Sequence, residues 1–432
     1  MELIGKIKDK TALVGVVGLG YVGLPMAVTV ARKGYKVMGV DVSKHAVNSV
    51  NAGENYIGDV NDDELRELVK SGMLKASFEY SDLKAADVIM VAVPTPLDKY
   101  QQPDSSFVRS SVQSLSENVS SQTLVILEST TYPGTTREIV APAFEKKGFT
   151  VGKDIFIAFS PERVDPGNKT YKTHNTPKVV GGMTAKCNEY SKAFYNSILD
   201  APIHLASSPE IAEMEKIYEN TFRNINIALA NEMTLLCDRM DIDIWEVIEA
   251  AKTKPYGFMA FYPGPGIGGH CIPLDPFYLT WKAREYGYHT RLIELAGEIN
   301  NDMPHFVINK ASRMLNKKGL ALSKAKVLLL GAAYKRDIED MRESPIHHIV
   351  ELLAQHGVSF DYNDPYVAKF ENEKNKREYK SVSLDTIEEY DLVILLTDHT
   401  AYDYDDILKR AQLILDTRFA FNGRKADNLV RM

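Results

Sequence analysis

The segment from Ala12 to Asp41 constrains the fold more than any other part of the 432-residue chain. An apolar run, Ala12-Leu-Val-Gly-Val-Val17, breaks at Gly18-Leu-Gly20-Tyr-Val-Gly23. A stretch of helical character follows to Arg32, and Lys36-Val-Met-Gly-Val-Asp41 supplies a second strand. Strand, glycine turn, helix and strand in this order make one βαβ unit with parallel strands. Each glycine has its own reason. The first permits a tight turn, the second lets the backbone approach a pyrophosphate, and the third lets helix and strand pack closely. The pyrophosphate is expected on N–H groups at the helix start, in a loop that also carries Tyr21 and Val22. Asp41 lies 23 residues after Gly18. A carboxylate there binds both ribose hydroxyls and repels a 2′-phosphate, which favours NAD over NADP.

The alternation continues. Asp87 to Val93, Thr123 to Leu127, Asp154 to Phe159 and Lys178 to Val180 read as further strands of a parallel sheet covered on both faces. Near Ala206 the pattern changes. Ser208-Pro209 is a helix start, and after Pro209 neither proline nor glycine intervenes before about Asp238. That predicts a helix of about 30 residues, about 45 Å long, with further helices over 243–252, 276–286 and 290–317. Strands return after Gly319, at Lys326 to Gly331, Val358 to Tyr362, Leu392 to Leu396 and Leu413 to Leu415. The expected class is α/β: two Rossmann-like doubly wound domains, 1–205 and 319–432, joined by a helical central domain, 206–318, with one long helix. So long a helix is also expected to carry a subunit contact. The last domain's first strand ends in Gly331-Ala-Ala-Tyr-Lys335 and lacks the GxGxxG pattern, so it does not hold a nucleotide in the first domain's manner.

Composition excludes several classes. With 44% hydrophobic and 25% charged residues the chain is neither disordered nor collagen-like. No apolar run reaches the roughly 18 residues of a membrane span, and MELIGKIKDK has no apolar core of a secretory signal. A net charge of −7 argues against nucleic acid as a partner. The three cysteines are scattered and odd in number, without zinc spacing. The expectation is a reduced, soluble, cytoplasmic protein with no metal site.

Candidate chemistry gathers in Phe261-Tyr-Pro-Gly-Pro-Gly-Ile-Gly-Gly-His-Cys-Ile-Pro-Leu-Asp-Pro276. Four glycines and four prolines in sixteen residues are expected to forbid regular structure. Glycine-rich loops expose N–H groups as anion-binding loops do. Cys271, just ahead of a helix, sits where a thiolate is favoured, and Asp275 is within reach if the helix begins between them. Cys187 and Cys237 read as structural thiols. Lys216 and Asn220, spaced i, i+4, share a face of the long helix, although Glu213 and Glu219 offer Lys216 an ordinary surface ion pair instead. Glu128-Ser-Thr-Thr-Tyr-Pro-Gly-Thr-Thr136 and Phe159-Ser-Pro-Glu-Arg-Val-Asp-Pro-Gly167 each follow a strand, at the sheet end where open parallel sheets bind ligands. Each is either part of a site or a simple cap.

Taken together, GLGYVGLP, VAVPTP, ESTTYPGTT, FSPERVDPGN, EKIYENTFRNINIALANE, PGPGIGGHCIPLDP, GAAYKRDIEDMRESP and LDTR, in this order, resemble the UDP-glucose/GDP-mannose dehydrogenase family. The resemblance implies an NAD-dependent, four-electron oxidation of a sugar primary alcohol to a carboxylate, with two hydrides passing to two NAD molecules, in polysaccharide synthesis. It makes Cys271 the nucleophile of a thiohemiacetal and thioester. Lys216 and Asn220 become the oxyanion stabilisers, Asp275 and Thr130 hold water or move protons, and Glu162 is the family's acid. It adds Thr95, Thr130 and Arg342 to the cofactor contacts and Tyr262, Gly268, Lys335 and Arg418 to the substrate contacts, and it implies a homodimer.

Two departures matter. His270 and Leu274 stand where UDP-glucose enzymes carry serine and lysine, which points to a UDP-N-acetylhexosamine, UDP-N-acetylglucosamine first. Pro166 stands where the family has a further glutamate, with Asp165 one position away, and Lys254 and Pro255 stand near its subunit-crossing arginine. A single-hydride 3-hydroxyacid dehydrogenase would need neither the cysteine nor a third domain. A non-catalytic NAD-binding regulator would be expected to lose the thiol or the Lys216/Asn220 pair.

Overall fold

The computed structural model describes residues 2–432 except 59, 99, 101, 166, 167, 169, 373 and 374. Pro166, the departure noted above, therefore lies outside the described residues. The chain divides into two compact units, Met1–Glu219 with Phe277–Tyr288, and Asn220–Pro276 with His289–Met432.

The described residues of the first unit form an eight-stranded sheet. Its strands are β1 (Leu13–Val17), β2 (Lys36–Val40), β3 (Leu74–Ser77), β4 (Val88–Val91), β5 (Thr123–Leu127), β6 (Ile155–Phe159), β7 (Lys178–Gly182) and β8 (Ile203–Ala206). They lie in the order β3-β2-β1-β4-β5-β6-β7-β8. β1 to β6 are parallel, β7 runs antiparallel to β6, and β8 follows β7. The first six strands have the doubly wound order, whose direction of winding reverses between β1 and β4. Alternate residues of each strand serve opposite faces. Val14, Val16, Met90, Ile126 and Phe156 pack into one core, and Val17, Val91, Val125, Leu127 and Ile157 into another. With both faces covered, near-continuous apolar strands are the consequence.

The second unit holds a parallel five-stranded sheet, β10-β9-β13-β14-β15. Its members are β9 (Lys326–Leu330), β10 (Ser359–Asn363), β13 (Leu392–Leu395), β14 (Ile414–Asp416) and β15 (Leu429–Arg431), with a short antiparallel ribbon of β11 (Lys369–Glu371) and β12 (Glu378–Lys380). Val327 and Leu329 face one core, Leu328 and Leu330 the other.

The helical middle consists of Pro209–Met240, Ile244–Lys252, Cys271–Ala283 and Arg291–Lys317, whose residues are shared between the two units. One expectation is corrected here. The cysteine loop does not stay irregular to Pro276: a helix begins at Cys271 itself. Pro273 is its third residue, where the missing N–H has no helical partner in any case. Pro276 is internal and cannot donate to the Ile272 carbonyl four residues back; Asn224 Nδ2 donates to that carbonyl at 3.0 Å instead. Among the described residues no helix is long and apolar enough to cross a membrane.

Phe156 is fully buried between strand and helix, whereas Phe78 is exposed. Phe156→Ala is expected to destabilise the first unit by about 3–5 kcal/mol through lost burial and a cavity, and Phe78→Ala by under about 1 kcal/mol. Urea unfolding followed by circular dichroism measures both.

Candidate active site

The glycine turn closes β1 in the first unit. Gly18 takes φ +88°, and a Cβ there would stand 2.4 Å from the Ala92 carbonyl oxygen. A Cβ on Gly23 would stand 1.8 Å from the Gly18 carbonyl oxygen. Gly20 differs: it is exposed, and nothing lies within 4 Å of where its Cβ would be. Open backbone at the entrance of the helix Gly23–Arg32, beside the β1/β4 reversal, fits a dinucleotide pyrophosphate. Tyr21 is exposed and Val22 half-buried in the same turn. The Asp41 carboxylate accepts the Leu19 N–H at 2.7 Å and the Ser43 N–H at 2.8 Å, which fixes it at the end of β2 against the glycine turn. Thr95 and Thr130, after β4 and β5, are joined by a 2.7 Å bond from the Thr95 hydroxyl to the Thr130 carbonyl. The Tyr278 hydroxyl donates to the Thr95 carbonyl.

The hydroxyl-rich turn after β5 is more than a cap. Buried Glu213 of the long helix accepts the N–H groups of Gly134 at 2.6 Å and Thr136 at 2.8 Å, and the Thr136 hydroxyl at 2.7 Å. Burial outweighs these bonds and pushes the Glu213 carboxyl up to about 7. After β6, Glu162 accepts the N–H groups of Arg163 at 2.7 Å and Val164 at 2.8 Å. Burial by itself would raise its pKa. The Lys178 ammonium, these two donors and Lys216 outweigh burial and hold the carboxyl below the usual range. Lys216 is only 7% exposed, which corrects the surface ion-pair alternative. It lies in the field of Glu162, Glu215 and Glu219, while Arg163 pairs with Glu219 and, at 3.3 Å, with Glu215.

In the second unit the cysteine helix is pinned by the long helix. Asn220 Nδ2 donates to Asp275 Oδ2 at 2.6 Å, both side chains buried, and Asn224 holds the Ile272 carbonyl. Cys271, at the helix N-terminus, is exposed. The glycines before it are forced by neighbours: a Cβ on Gly268 would stand 2.4 Å from Tyr334 Cβ, and one on Gly264 would stand 2.6 Å from an Arg418 Nη atom. Gly269 N–H donates to the Arg342 carbonyl at 2.9 Å. Burial and the Arg342 guanidinium pull the His270 pKa down, against Asp340, so its ring is neutral at pH 7.

Of the residues expected at the substrate, half-buried Arg418 donates from Nε to the Leu396 carbonyl at 2.8 Å. Lys335 is half-buried in the turn after β9. Tyr262 stacks on Trp245 at 6.0 Å; its hydroxyl donates to Glu249 at 2.6 Å and accepts from Lys252 at 3.2 Å. Arg342, expected at the cofactor, belongs to the second unit and pairs with Asp340 at 2.6 Å. The structure thus brings together Gly18, Gly20, Gly23 and Asp41, then Thr95 and Thr130, then Glu162 and Lys216, and separately Cys271, Asn220 and Asp275.

Sequence reasoning missed two groups. Lys178 bridges Glu128 and Glu162; a lysine heading an apolar strand was the available signal. Asp364 accepts the N–H groups of Ala332 at 2.6 Å and Ala333 at 3.0 Å. It also takes the Nε2–H of buried His399 at 2.9 Å, whose Nδ1 accepts the Asp337 N–H. This pair ties down the turn that carries Tyr334 and Lys335, and nothing in its spacing announces it.

A doubly wound sheet with an open pyrophosphate turn and an acidic residue at the next strand end, together with an exposed thiol at a buttressed helix start, defines an NAD-dependent oxidoreductase. The comparisons with known proteins narrow the class. Residues 12–199, 210–302 and 328–426 match the NAD binding, central and UDP binding domains of the UDP-glucose/GDP-mannose dehydrogenase family. The chain belongs to that family and is an NAD-dependent nucleotide-sugar dehydrogenase. It is 37% identical to the protein CapL of Staphylococcus aureus, over 95% of this chain and 96% of that one. It is 35% identical to UDP-N-acetyl-D-glucosamine 6-dehydrogenase of Pseudomonas aeruginosa, over 97% and 99%. Among solved structures it resembles a UDP-D-ManNAc dehydrogenase from Pyrococcus horikoshii, with a TM-score of 0.88 at 32% identity over 97% and 98% of the two chains.

The glycine geometry separates folding from cofactor binding. Gly20→Ala is expected to leave the melting temperature unchanged and weaken NAD binding at least about tenfold, the loss of about 1.4 kcal/mol. Gly23→Ala lowers both. Calorimetric titration with NAD beside thermal unfolding checks the pair.

Proposed function

We propose that this enzyme oxidises the C6 alcohol of UDP-N-acetyl-D-glucosamine to the carboxylate by two successive dehydrogenations, for polysaccharide synthesis. NAD, when bound, supplies the hydride acceptor for each. The observation that carries the reading is the exposed Cys271 thiol at the start of a helix whose first turn is held by Asn220 and Asn224.

After the first oxidation the Cys271 sulfur adds to the aldehyde carbon, giving a thiohemiacetal. Loss of the second hydride leaves a thioester. Water adds to it, the C–S bond breaks, and the carboxylate leaves as the thiol is restored. The Lys216 ammonium and the second Nδ2 proton of Asn220 stabilise the oxygen that becomes negative at each addition. Asp275, held by Asn220, orients water, and Thr130 and Glu162 handle protons. Gly18, Gly20, Tyr21, Val22, Gly23, Asp41, Thr95 and Arg342 hold NAD. Tyr262, Gly268, Lys335 and Arg418 hold the UDP-sugar.

His270 before Cys271 and Leu274 before Asp275 stand in place of serine and lysine, and the Pseudomonas aeruginosa relative supports an N-acetylglucosamine substrate. The similarity to the Pyrococcus horikoshii structure favours UDP-N-acetylmannosamine as the second reading. The long helix supports a homodimer: Ile211, Met214, Tyr218, Phe222, Leu229 and Leu236 form an exposed apolar stripe along it.

With limiting sugar and excess NAD, two NADH are expected per UDP-N-acetylglucosamine and little from UDP-glucose. Two per UDP-N-acetylmannosamine instead would move the specificity and keep the mechanism. One per sugar would remove the thioester. Cys271→Ala is expected to abolish net turnover, and Lys216→Ala to lower kcat far more than it raises KM. Sedimentation is expected to give a dimer, and Leu229→Glu with Leu236→Glu a monomer.

A further inference from the structure

Three ionisable side chains meet at one end of the first unit's sheet. Glu128 directly follows β5, Glu162 follows β6, and Lys178 opens β7. Because β7 runs antiparallel to β6, its first residue returns to the end that β5 and β6 reach last. The Lys178 ammonium stands 2.7 Å from Glu128 and 3.4 Å from Glu162. The Lys178 and Glu128 side chains are 4% and 1% exposed. On the far side the Tyr195 hydroxyl donates to the other oxygen of Glu128, and its ring lies 5.4 Å from the ammonium.

We propose that Lys178, itself anchored by Glu128 and Tyr195, is a positioning residue that holds Glu162 as an oriented carboxylate for the proton transfers of the reaction. The inference rests on the reading of Glu162 as a proton-handling group. Both Glu162 oxygens are committed: one accepts the two backbone N–H groups, and the other faces Lys178. The carboxylate therefore cannot turn without breaking a bond. The strand does not itself require the charge, since β7 is buried throughout and an apolar residue would serve its packing. Glu162 faces Lys178 and Glu128 from neighbouring strands, Tyr195 from the helix Ala185–Ile198, Lys216 from the long helix, and Arg163 beside it. Removing the ammonium takes from Glu162 the cation that offsets its burial. Removing the Glu128 charge leaves Glu162 the ammonium without its rival.

The two removals have opposite signs, and a purely structural role would not produce that. The test is the pH dependence of kcat/KM for four variants of the full enzyme. Glu162→Gln is expected to slow turnover and erase the acid limb, which identifies the limb with Glu162. Lys178→Met is expected to move that limb to higher pH by about one unit or more, Lys178→Arg to return it towards the parent position, and Glu128→Gln to move it to lower pH. If Lys178→Met does not fold, the downward shift in Glu128→Gln decides. An unmoved limb in Lys178→Met and Glu128→Gln, with Glu162→Gln slow, overturns the positioning role and leaves Glu162 in place. Full activity and an unaltered profile in Glu162→Gln overturns the reading of Glu162 itself.

Discussion

One helix, Pro209–Met240, carries a row of buried polar side chains, and loops of each unit are hydrogen-bonded to that row. Glu213 takes the N–H groups of the turn after β5. Lys216 lies buried in the field of Glu162. Asn220 and Asn224 hold Asp275 and Ile272 at the head of the cysteine helix. Asn231 accepts the Gly264 N–H at 3.0 Å and donates to Asn300 at 2.9 Å. Glu213, Asn220, Asn224 and Asn231 are tolerable in the interior because each makes at least one hydrogen bond; a buried amide with none would cost about 1–3 kcal/mol, and a carboxylate more. At 3.6 residues per turn the exposed stripe of Ile211, Met214, Tyr218, Phe222, Leu229 and Leu236 falls on the opposite side. The helix is amphipathic in the inverted sense, polar inward and apolar outward.

That inversion makes chemical sense. Loops rich in glycine and proline have few side chains of their own to satisfy their backbone groups. A rigid helix with polar residues at three- and four-residue spacing supplies the missing donors and acceptors. The cysteine helix illustrates this. Pro276 leaves the Ile272 carbonyl without its helical donor, and Asn224 provides one from outside. The thiol can then stand at a fixed helix start despite a sequence that resists helix.

The two charged systems divide the labour. In the first unit, buried charges lie at the carboxyl end of the sheet, where Glu128, Glu162, Lys178 and Lys216 compensate each other. In the second, the groups near the thiol are the amides of Asn220 and Asn224, Asp275 and a neutral His270, with the Arg342–Asp340 ion pair beside that ring. Burial moves the ionisable groups in both directions. Glu162 is held ionised by cations and N–H donors, whereas Glu213, with N–H and O–H donors alone, is pushed up.

Much was legible in the sequence for local reasons. Gly18 and Gly23 are dictated by backbone conformation and close approach, and Gly20 by the open backbone that a pyrophosphate needs, so their spacing states the turn, and Asp41 follows from strand length. The alternation of apolar runs states parallel sheets because only buried strands can be apolar throughout. The sequence also marked Cys271, through its glycine-rich surroundings. Tertiary structure alone decided the rest. The helix beginning at Cys271 depends on Asn220 and Asn224, about fifty positions earlier. Lys178 finds its role only because β7 reverses beside β6, and Asp364 meets His399 only through the order of β9, β10 and β13. Which side of the long helix is buried was beyond periodicity as well. Periodicity separates two faces, but only the partners brought by the fold make the polar one the interior.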